Sequence, residues 1–149
     1  MEIEKEIQNS KFTDNYQKAA VNIIYTYAWL NGYIKAELAK HKVTPQQFNI
    51  LRILRGQNPK PATINIIKER MLDRMSDASR IVDRLVAKGL VTRTTCESDR
   101  RAVDILISDK GLKVLEKIKL EETMLAKFKQ HISEDEAKQL SDLLDKYRG

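Results

Sequence analysis

A change of hydrophobic period beyond the middle of the chain constrains the fold more than any other feature. Through residue 88, apolar side chains recur every three or four positions, the period of a helix with one buried face. Residues 91–95 and 102–107 instead form two β-branched runs, joined by a polar segment at residues 96–101. Two such runs predict an antiparallel hairpin. Helical spacing returns after Ser108, so we expect a mainly α-helical fold with one small hairpin.

Four helices are predicted before the hairpin. The first spans about residues 12–40, because apolar residues keep the helical period there and no proline interrupts them. A second helix begins after Thr44, whose hydroxyl can cap it, and Thr63 caps a third. The fourth begins at Ser76 or Asp77.

Two further helices are predicted after the hairpin. One long helix runs from about Ser108 through Phe128, since leucines and isoleucines recur there at helical spacing. Ser133 and Glu136 have the spacing of a capping box, which predicts the start of the last helix.

Length, composition and residue types exclude several classes of protein. A chain of 149 residues that is 42% hydrophobic can bury a core. No apolar run approaches the length of a membrane span, and the N-terminus is charged, so we expect a cytoplasmic protein that lacks a membrane anchor. Cys96 is the only cysteine, and His41 and His131 are isolated. These residues predict no disulfide, no metal or cofactor site and no enzyme.

Positive charge is concentrated in the centre of the chain. The net charge of +6 divides into 0 for residues 1–40, +7 for residues 41–101 and −1 for residues 102–149. Nine of the ten arginines lie between residues 52 and 101. Arginine suits planar contacts with phosphates and guanine edges. Charge alone leaves two interpretations open, a nucleic-acid-binding module or a set of solvated helix faces.

The third and fourth helices and the hairpin have the order of a winged helix-turn-helix, whose second helix enters the major groove. The side of that helix opposite its apolar residues carries a charged stripe. Two serines stand at its N-terminal end, where hydroxyls and N–H groups can reach phosphates. A solvated face of an ordinary amphipathic helix is the alternative. The stripe consists of Asp77, Arg80, Arg84 and Lys88, and the serines are Ser76 and Ser79.

The predicted tip of the hairpin carries Asp99, Arg100 and Arg101. An arginine at the tip of a protruding hairpin can enter the minor groove, where negative potential is focused. Asp99 is suited to hold a neighbouring guanidinium in one rotamer. The alternative is a solvated turn with a local ion pair.

Three segments, residues 79–91, 98–105 and 108–111, resemble the signature of the MarR family of bacterial transcription regulators. The resemblance implies a winged helix-turn-helix domain at residues 43–108, between an N-terminal dimerisation helix at residues 1–42 and C-terminal dimerisation helices at residues 109–149. It also implies a homodimer that reads a near-palindromic operator in double-stranded DNA. The periodicity independently favours a dimer, because the terminal helices carry more apolar residues than so small a chain can cover.

The same resemblance implies roles for individual residues. Asp99 and Arg101 would form a pair in the wing, with Arg101 in the minor groove. Arg84 would belong to the network that ties the wing to the recognition helix. Residues 74–80, beginning with Arg74, would contact the major groove. The turn at residues 72–75 departs from the pattern, since it lacks the glycine common in helix-turn-helix turns.

Family members often bind small anionic aromatic compounds between the dimer helices and the winged domain, which implies a small aromatic or phenolic effector. Six of the nine aromatic residues lie in the predicted first helix. The candidate pocket residues are Tyr25, Trp29, Tyr33, Arg52 and Arg55. Aromatic residues at helical spacing are otherwise explained by a core or a dimer interface.

The sequence therefore predicts a sequence-specific, DNA-binding transcription regulator, most simply a repressor that an aromatic ligand releases from its operator. Two alternatives remain, a winged-helix protein-interaction module and a ligand-independent DNA architectural protein. An interaction module would present apolar residues on the recognition face, where this chain has charged ones.

Overall fold

The computed structural model describes residues 2–8, 11–95 and 103–149. Within these ranges the chain forms eight helices and one two-stranded antiparallel sheet. The helices are α1 (Ile3–Glu6), α2 (Asn15–Ala39), α3 (Pro45–Gln57), α4 (Ile64–Arg70), α5 (Ala78–Ala87), α6 (Asp109–Lys117), α7 (Leu120–Lys129) and α8 (Glu134–Arg148); the strands are β1 (Val91–Thr95) and β2 (Val103–Ile107).

Side-chain caps begin the helices where the sequence predicts them. Thr44 forms a capping box with Gln47 at the start of α3, and Ser133 forms one with Glu136 at the start of α8. The fourth predicted helix, α5, is capped by Asp77, whose carboxylate accepts the Arg80 N–H at 3.2 Å. This bond decides between the two predicted starts, Ser76 and Asp77.

One hydrophobic core joins α3, α4, α5 and the hairpin, the arrangement of a winged helix-turn-helix. The hairpin register runs from Val91 opposite Ile107 to Thr95 opposite Val103. Ala62, between α3 and α4, exchanges two backbone hydrogen bonds of 2.9 Å with Ile105, so the hairpin is attached to that connection. The largest fully buried side chains of this core are Ile50, Leu51, Leu54, Ile67, Val82, Leu85 and Ile105.

The N-terminal region differs from the prediction in two respects. The long helix α2 begins at Asn15 and not near residue 12, because Asp14 caps it by accepting the Gln17 N–H at 2.8 Å. The short helix α1 precedes it and was not predicted, since four residues are too few to show a helical period. Glu6 of α1 accepts a 2.7 Å hydrogen bond from the Tyr25 hydroxyl of α2.

The single long helix predicted after the hairpin is wrong, because the chain breaks it into α6 and α7 at residues 118–119. Ile118 is 8% exposed and Leu120 is 4% exposed, and both pack in a second cluster with Leu38 of α2. Side chains two positions apart point to nearly opposite sides of a continuous helix. Both can face Leu38 only if the helix is interrupted between them.

Candidate nucleic-acid interface

Helix α5 has one fully buried face and one exposed face. Ala78, Val82 and Leu85 have no exposed surface, whereas Arg80 and Arg84 are exposed on the other side. The burial of the first three fixes the rotation of the helix about its axis. The structure therefore brings the two arginines to one solvent-facing surface, as the sequence predicts.

The turn between α4 and α5 is held by Asp73, which was not among the predicted site residues. Its carboxylate accepts the Ser76 hydroxyl at 2.6 Å, the Met75 N–H at 3.1 Å and the side-chain amide of Gln46 from α3 at 3.5 Å. The hydrogen bonds from Ser76 and then Gln46 hold the pKa of Asp73 below its ordinary value of 3.8. An aspartate three residues before a serine in a turn is the sequence signal that could have found it.

These side-chain acceptors replace the glycine that the turn lacks. The Leu72 N–H donates to the side-chain oxygen of Asn49 in α3 at 3.0 Å, so the side chains of Asn49 and Asp73 together satisfy two backbone donors of the turn. All residues with positive φ in the described part of the chain lie outside the turn. Since no turn residue needs the left-handed region, the missing glycine leaves the helix-turn-helix intact.

A groove of about 320 Å³ lies between α5 and the N-terminus of α3. Arg80 and Arg84 line its α5 side, and Thr44 and Gln46 line its α3 side. The amide groups that begin α3 add partial positive charge at the same place. The groove is therefore suited to an anionic backbone lying across both helices. The predicted residues Ser76 and Asp77 also line it.

Lys88 does not extend the arginine stripe as predicted. Its ammonium group donates to the Lys42 carbonyl at 2.7 Å and to the side-chain oxygen of Gln47 at 2.9 Å. Gln47 is only 3% exposed, and its side-chain oxygen, which also accepts the Thr44 N–H at 3.2 Å, gains a second donor from Lys88. The loop before α3 comes close enough to the end of α5 to take up the ammonium. Lys88 therefore links the end of α5 to the start of α3. The prediction that Lys88 is the fourth charged residue facing the groove is wrong.

An ion pair joins the hairpin to α5. Arg93 of β1 contacts Asp83 of α5 at 2.7 Å, and both side chains are partly exposed. The predicted wing residues Asp99, Arg100 and Arg101 lie outside the described residues, and so does Cys96. The link from Arg84 to that wing consequently stays a prediction.

Comparison with known proteins supports this arrangement. The MarR family model matches residues 43–103, the segment that holds α3, α4, α5 and β1. The chain contains a MarR family domain. It is 29% identical over 110 residues to the transcriptional repressor MdtR of Bacillus subtilis, a match that covers 73% of this chain and 70% of MdtR. MarR-family members are transcription regulators, so this chain is one too and is not an enzyme.

Two solved MarR-type structures have the same fold. The organohalide-sensing regulator RdhR, in its 2,4-dichlorophenol-bound form, matches with a TM-score of 0.79 and 22% identity, over 91% of this chain and 80% of RdhR. A MarR variant from E. coli complexed with operator DNA matches with a TM-score of 0.77 and 22% identity, over 93% of this chain and 99% of the other.

The residues predicted for a MarR-type ligand pocket lie in separate places. Tyr25 and Trp29 line a cavity of about 350 Å³ among α1, α2 and α7. The Tyr33 ring lies outside it, with the Lys127 ammonium group 4.2 Å from its centroid. Arg52 and Arg55 line a second cavity, of about 190 Å³. Within one chain the five predicted residues therefore do not form a single cleft.

The cavity at Arg52 and Arg55 lies between the winged domain and the C-terminal helices. Phe48 of α3 lines it together with residues of α6 and α7. The Arg52 guanidinium is 2.5 Å from the Glu121 carboxylate of α7 and 5.8 Å from the Phe48 ring centroid. This ion pair joins the winged domain to the C-terminal helices.

Two further features are absent from the residues that the structure describes. No group of three or more His, Cys, Asp or Glu side chains in residues 2–8, 11–95 and 103–149 could hold a metal ion. Across the same ranges, no helix combines the length and the apolar character that crossing a membrane requires.

Proposed function

We propose that the chain is a homodimeric repressor that binds a near-palindromic operator through α5 and the hairpin tip. In this proposal residues 43–108 bind DNA, and residues 1–42 and 109–149 form the dimer. The exposed arginine face of α5, opposite its fully buried face, carries the proposal. The proposed contacts from the helix are Arg74, Ser76, Asp77, Ser79, Arg80 and Arg84, and those from the hairpin tip are Asp99, Arg100 and Arg101.

The named relatives support the repressor and the operator. MdtR is a transcriptional repressor, and the similar E. coli structure holds operator DNA. The groove beside Arg80 and Arg84 fits the same use, because phosphates of the DNA backbone would meet two guanidinium groups and a helix N-terminus there.

Uncovered apolar side chains support the dimer. Helix α8 contains no buried residue in the single chain. Its apolar residues Leu140, Leu143 and Tyr147 expose more than half of their surface to solvent. On α2, Tyr16 and Tyr27 are similarly exposed. A second copy packed against these helices would cover both sets. Light scattering on the purified protein should give twice the chain mass, and Leu143→Glu should shift it toward one chain.

Selection from random double-stranded DNA tests the proposal as a whole. Enrichment of one near-palindromic sequence supports a specific regulator. Absence of enrichment would favour a protein-interaction module, and broad enrichment would favour an architectural protein. On the selected operator, the logarithm of affinity should fall steeply with the logarithm of salt concentration.

A charge-matched pair of variants then tests the α5 surface. Arg84→Ala removes one proposed phosphate contact per subunit, so the salt slope of the dimer should fall by about 1.8. Lys138→Ala removes the same charge from the exposed face of α8, and it should leave the slope unchanged. Equal slopes for the two variants would contradict the α5 assignment.

We also propose that the cavity at Arg52 binds an anionic aromatic effector. A ligand carboxylate or phenolate would compete with Glu121 for the guanidinium, and Phe48 would stack on the ring. The chlorophenol bound to RdhR supports this class of ligand. Benzoate and 2,4-dichlorophenol should each release the operator from the wild type, and Arg52→Ala should abolish the benzoate response. If Tyr25→Phe abolishes it instead, the cavity among α1, α2 and α7 is the effector site.

A further inference from the structure

An apolar side chain is fully presented to solvent at the point where the recognition helix begins. Met75 is 95% exposed, the highest value among the large apolar side chains that the structure describes. It lies two residues before Asp77, the N-cap of α5, and its neighbours Arg74 and Ser76 are polar. An apolar side chain so exposed contributes little to the stability of the fold. Its apolar surface lowers the free energy only when a binding partner removes it from water.

The backbone that carries Met75 is fixed while its side chain is free to adapt. The Met75 N–H donates to the Asp73 carboxylate at 3.1 Å, and the next residue, Ser76, donates its hydroxyl to the same carboxylate at 2.6 Å. Methionine is unbranched and polarisable, so it fits irregular apolar contacts. The turn thus holds a flexible apolar contact at the end of the helix that we propose enters the major groove.

The major groove offers one apolar group for such a side chain to contact. Base edges there present hydrogen-bond donors and acceptors, and thymine adds its C5-methyl group. We propose that Met75 contacts a thymine methyl group in each half of the operator and thereby sets a preference for thymine at that position. This inference rests on the proposed DNA-binding function, because Met75 can reach a base only if α5 enters the major groove. It adds to that function the recognition of one base by a residue outside the charged stripe.

Leu72 provides a matched control on the same turn. It is 90% exposed, nearly as much as Met75. It differs in direction, since it lines a cavity of about 310 Å³ with Tyr27 and Leu30 of α2. Leu72 therefore faces the N-terminal helix, and its truncation should not affect base reading.

Deoxyuridine substitution tests the contact, because uracil differs from thymine only by the missing methyl group. Each thymine of the selected operator is replaced in turn by deoxyuridine, and affinities are measured by fluorescence anisotropy for the wild type, Met75→Ala, Met75→Leu and Leu72→Ala. At one thymine position per half-site, the wild type should lose about fourfold in affinity, or about fifteenfold when both half-sites are replaced, as expected for one methyl group per contact. Met75→Leu and Leu72→Ala should show the same loss.

Met75→Ala should bind thymine and uracil operators equally at that position while keeping the melting temperature of the wild type. If Met75→Ala shows the same uracil sensitivity as the wild type, the inference is overturned and the proposed function stands. A uniform loss of affinity for all sequences in Met75→Ala would also overturn it, since Met75 would then act through the turn. If the wild type selects no operator, the proposed function itself fails.

Discussion

Replacing Gly111 with alanine tests how tightly the C-terminal helices are joined to the recognition helix. Gly111 lies in the first turn of α6, and an added Cβ would be 2.3 Å from the Leu90 carbonyl oxygen and 2.8 Å from the Ile107 side chain. Real Cβ atoms essentially never approach other atoms within 3.0 Å. The nearest atom belongs to the backbone, so no rotamer change of a side chain can relieve the contact.

The segment that would have to move holds several connections. The Ser108 hydroxyl accepts the Gly111 N–H at 3.0 Å and donates to the Gly89 carbonyl at 2.8 Å. The Ser108 N–H donates to the Leu90 carbonyl at 3.1 Å. Separating α6 from residues 89 and 90 weakens all contacts between α6 and the chain that leaves α5. This explains in physical terms why the segment at residues 108–111 ends in glycine.

The expected cost follows from two opposing effects. Overpacking of a filled site costs about 1–3 kcal/mol, and contact with a carbonyl oxygen favours the upper end of that range. Alanine in place of glycine in a helix raises the free energy of unfolding by about 1 kcal/mol, because alanine has the higher helix propensity. The net loss in the free energy of unfolding is therefore about 2 kcal/mol. For a chain of this size, that loss lowers the melting temperature by about 4–8 °C.

Gly56→Ala is the matched control, because an added Cβ there meets no atom within 4 Å. It should keep the wild-type stability or raise it by up to about 1 kcal/mol. Urea and thermal unfolding followed by circular dichroism measure both variants at the same protein concentration. If Gly111→Ala is as stable as Gly56→Ala, the close approach of α6 to residue 90 is refuted.

Three further predictions concern the helix-turn-helix and its attachments. Lys88→Met should lower the free energy of unfolding by about 1 kcal/mol in urea melts, since the side-chain oxygen of Gln47 loses one of its two donors and the Lys42 carbonyl loses its ammonium partner, while the salt slope of operator binding stays unchanged. Asp73→Asn should destabilise the protein at neutral pH. Because the folded pKa of Asp73 is lowered, the ionised group stabilises the fold above pH 3.8, and the gap between wild type and variant in urea melts should shrink as the pH falls below that value. Asp83→Ala should change stability by less than about 1 kcal/mol, yet weaken operator binding in anisotropy titrations, because Arg93 loses the partner that joins the hairpin to α5.

The winged domain could be predicted from the sequence because its signals are local. Caps such as Thr44 and Asp77 act within three residues, and the spacing of Ala78, Val82 and Leu85 fixes which face of α5 is buried. Once that face is known, the exposure of Arg80 and Arg84 follows from helix geometry. For this reason the candidate surface on α5 was predicted correctly as a solvent-facing stripe, apart from its last member.

The features that the sequence did not predict depend on contacts between distant residues. Lys88 is bound by an acceptor 41 positions away, and no pattern on α5 indicates that the start of α3 lies within reach. The interruption between α6 and α7 also depends on a distant residue. Ile118 and Leu120 both pack against Leu38, whereas a continuous helix would point them to opposite sides. Helical periodicity describes one element at a time, so it cannot predict contacts between elements that are distant in the sequence.

The turn shows how a departure from a family pattern can be neutral for the fold and still change the surface that the turn presents. Glycine permits a tight turn because it tolerates positive φ. In this turn Asp73 stabilises the backbone instead, by accepting hydrogen bonds from the Met75 N–H and the Ser76 hydroxyl. The two solutions leave different surfaces. A turn held by a side chain can keep a large residue such as Met75 at a fixed backbone position, where a more mobile glycine turn would present it less reproducibly. The chemistry that replaces the glycine thus places an apolar side chain at the start of α5, and the base reading that we propose for Met75 would depend on Asp73.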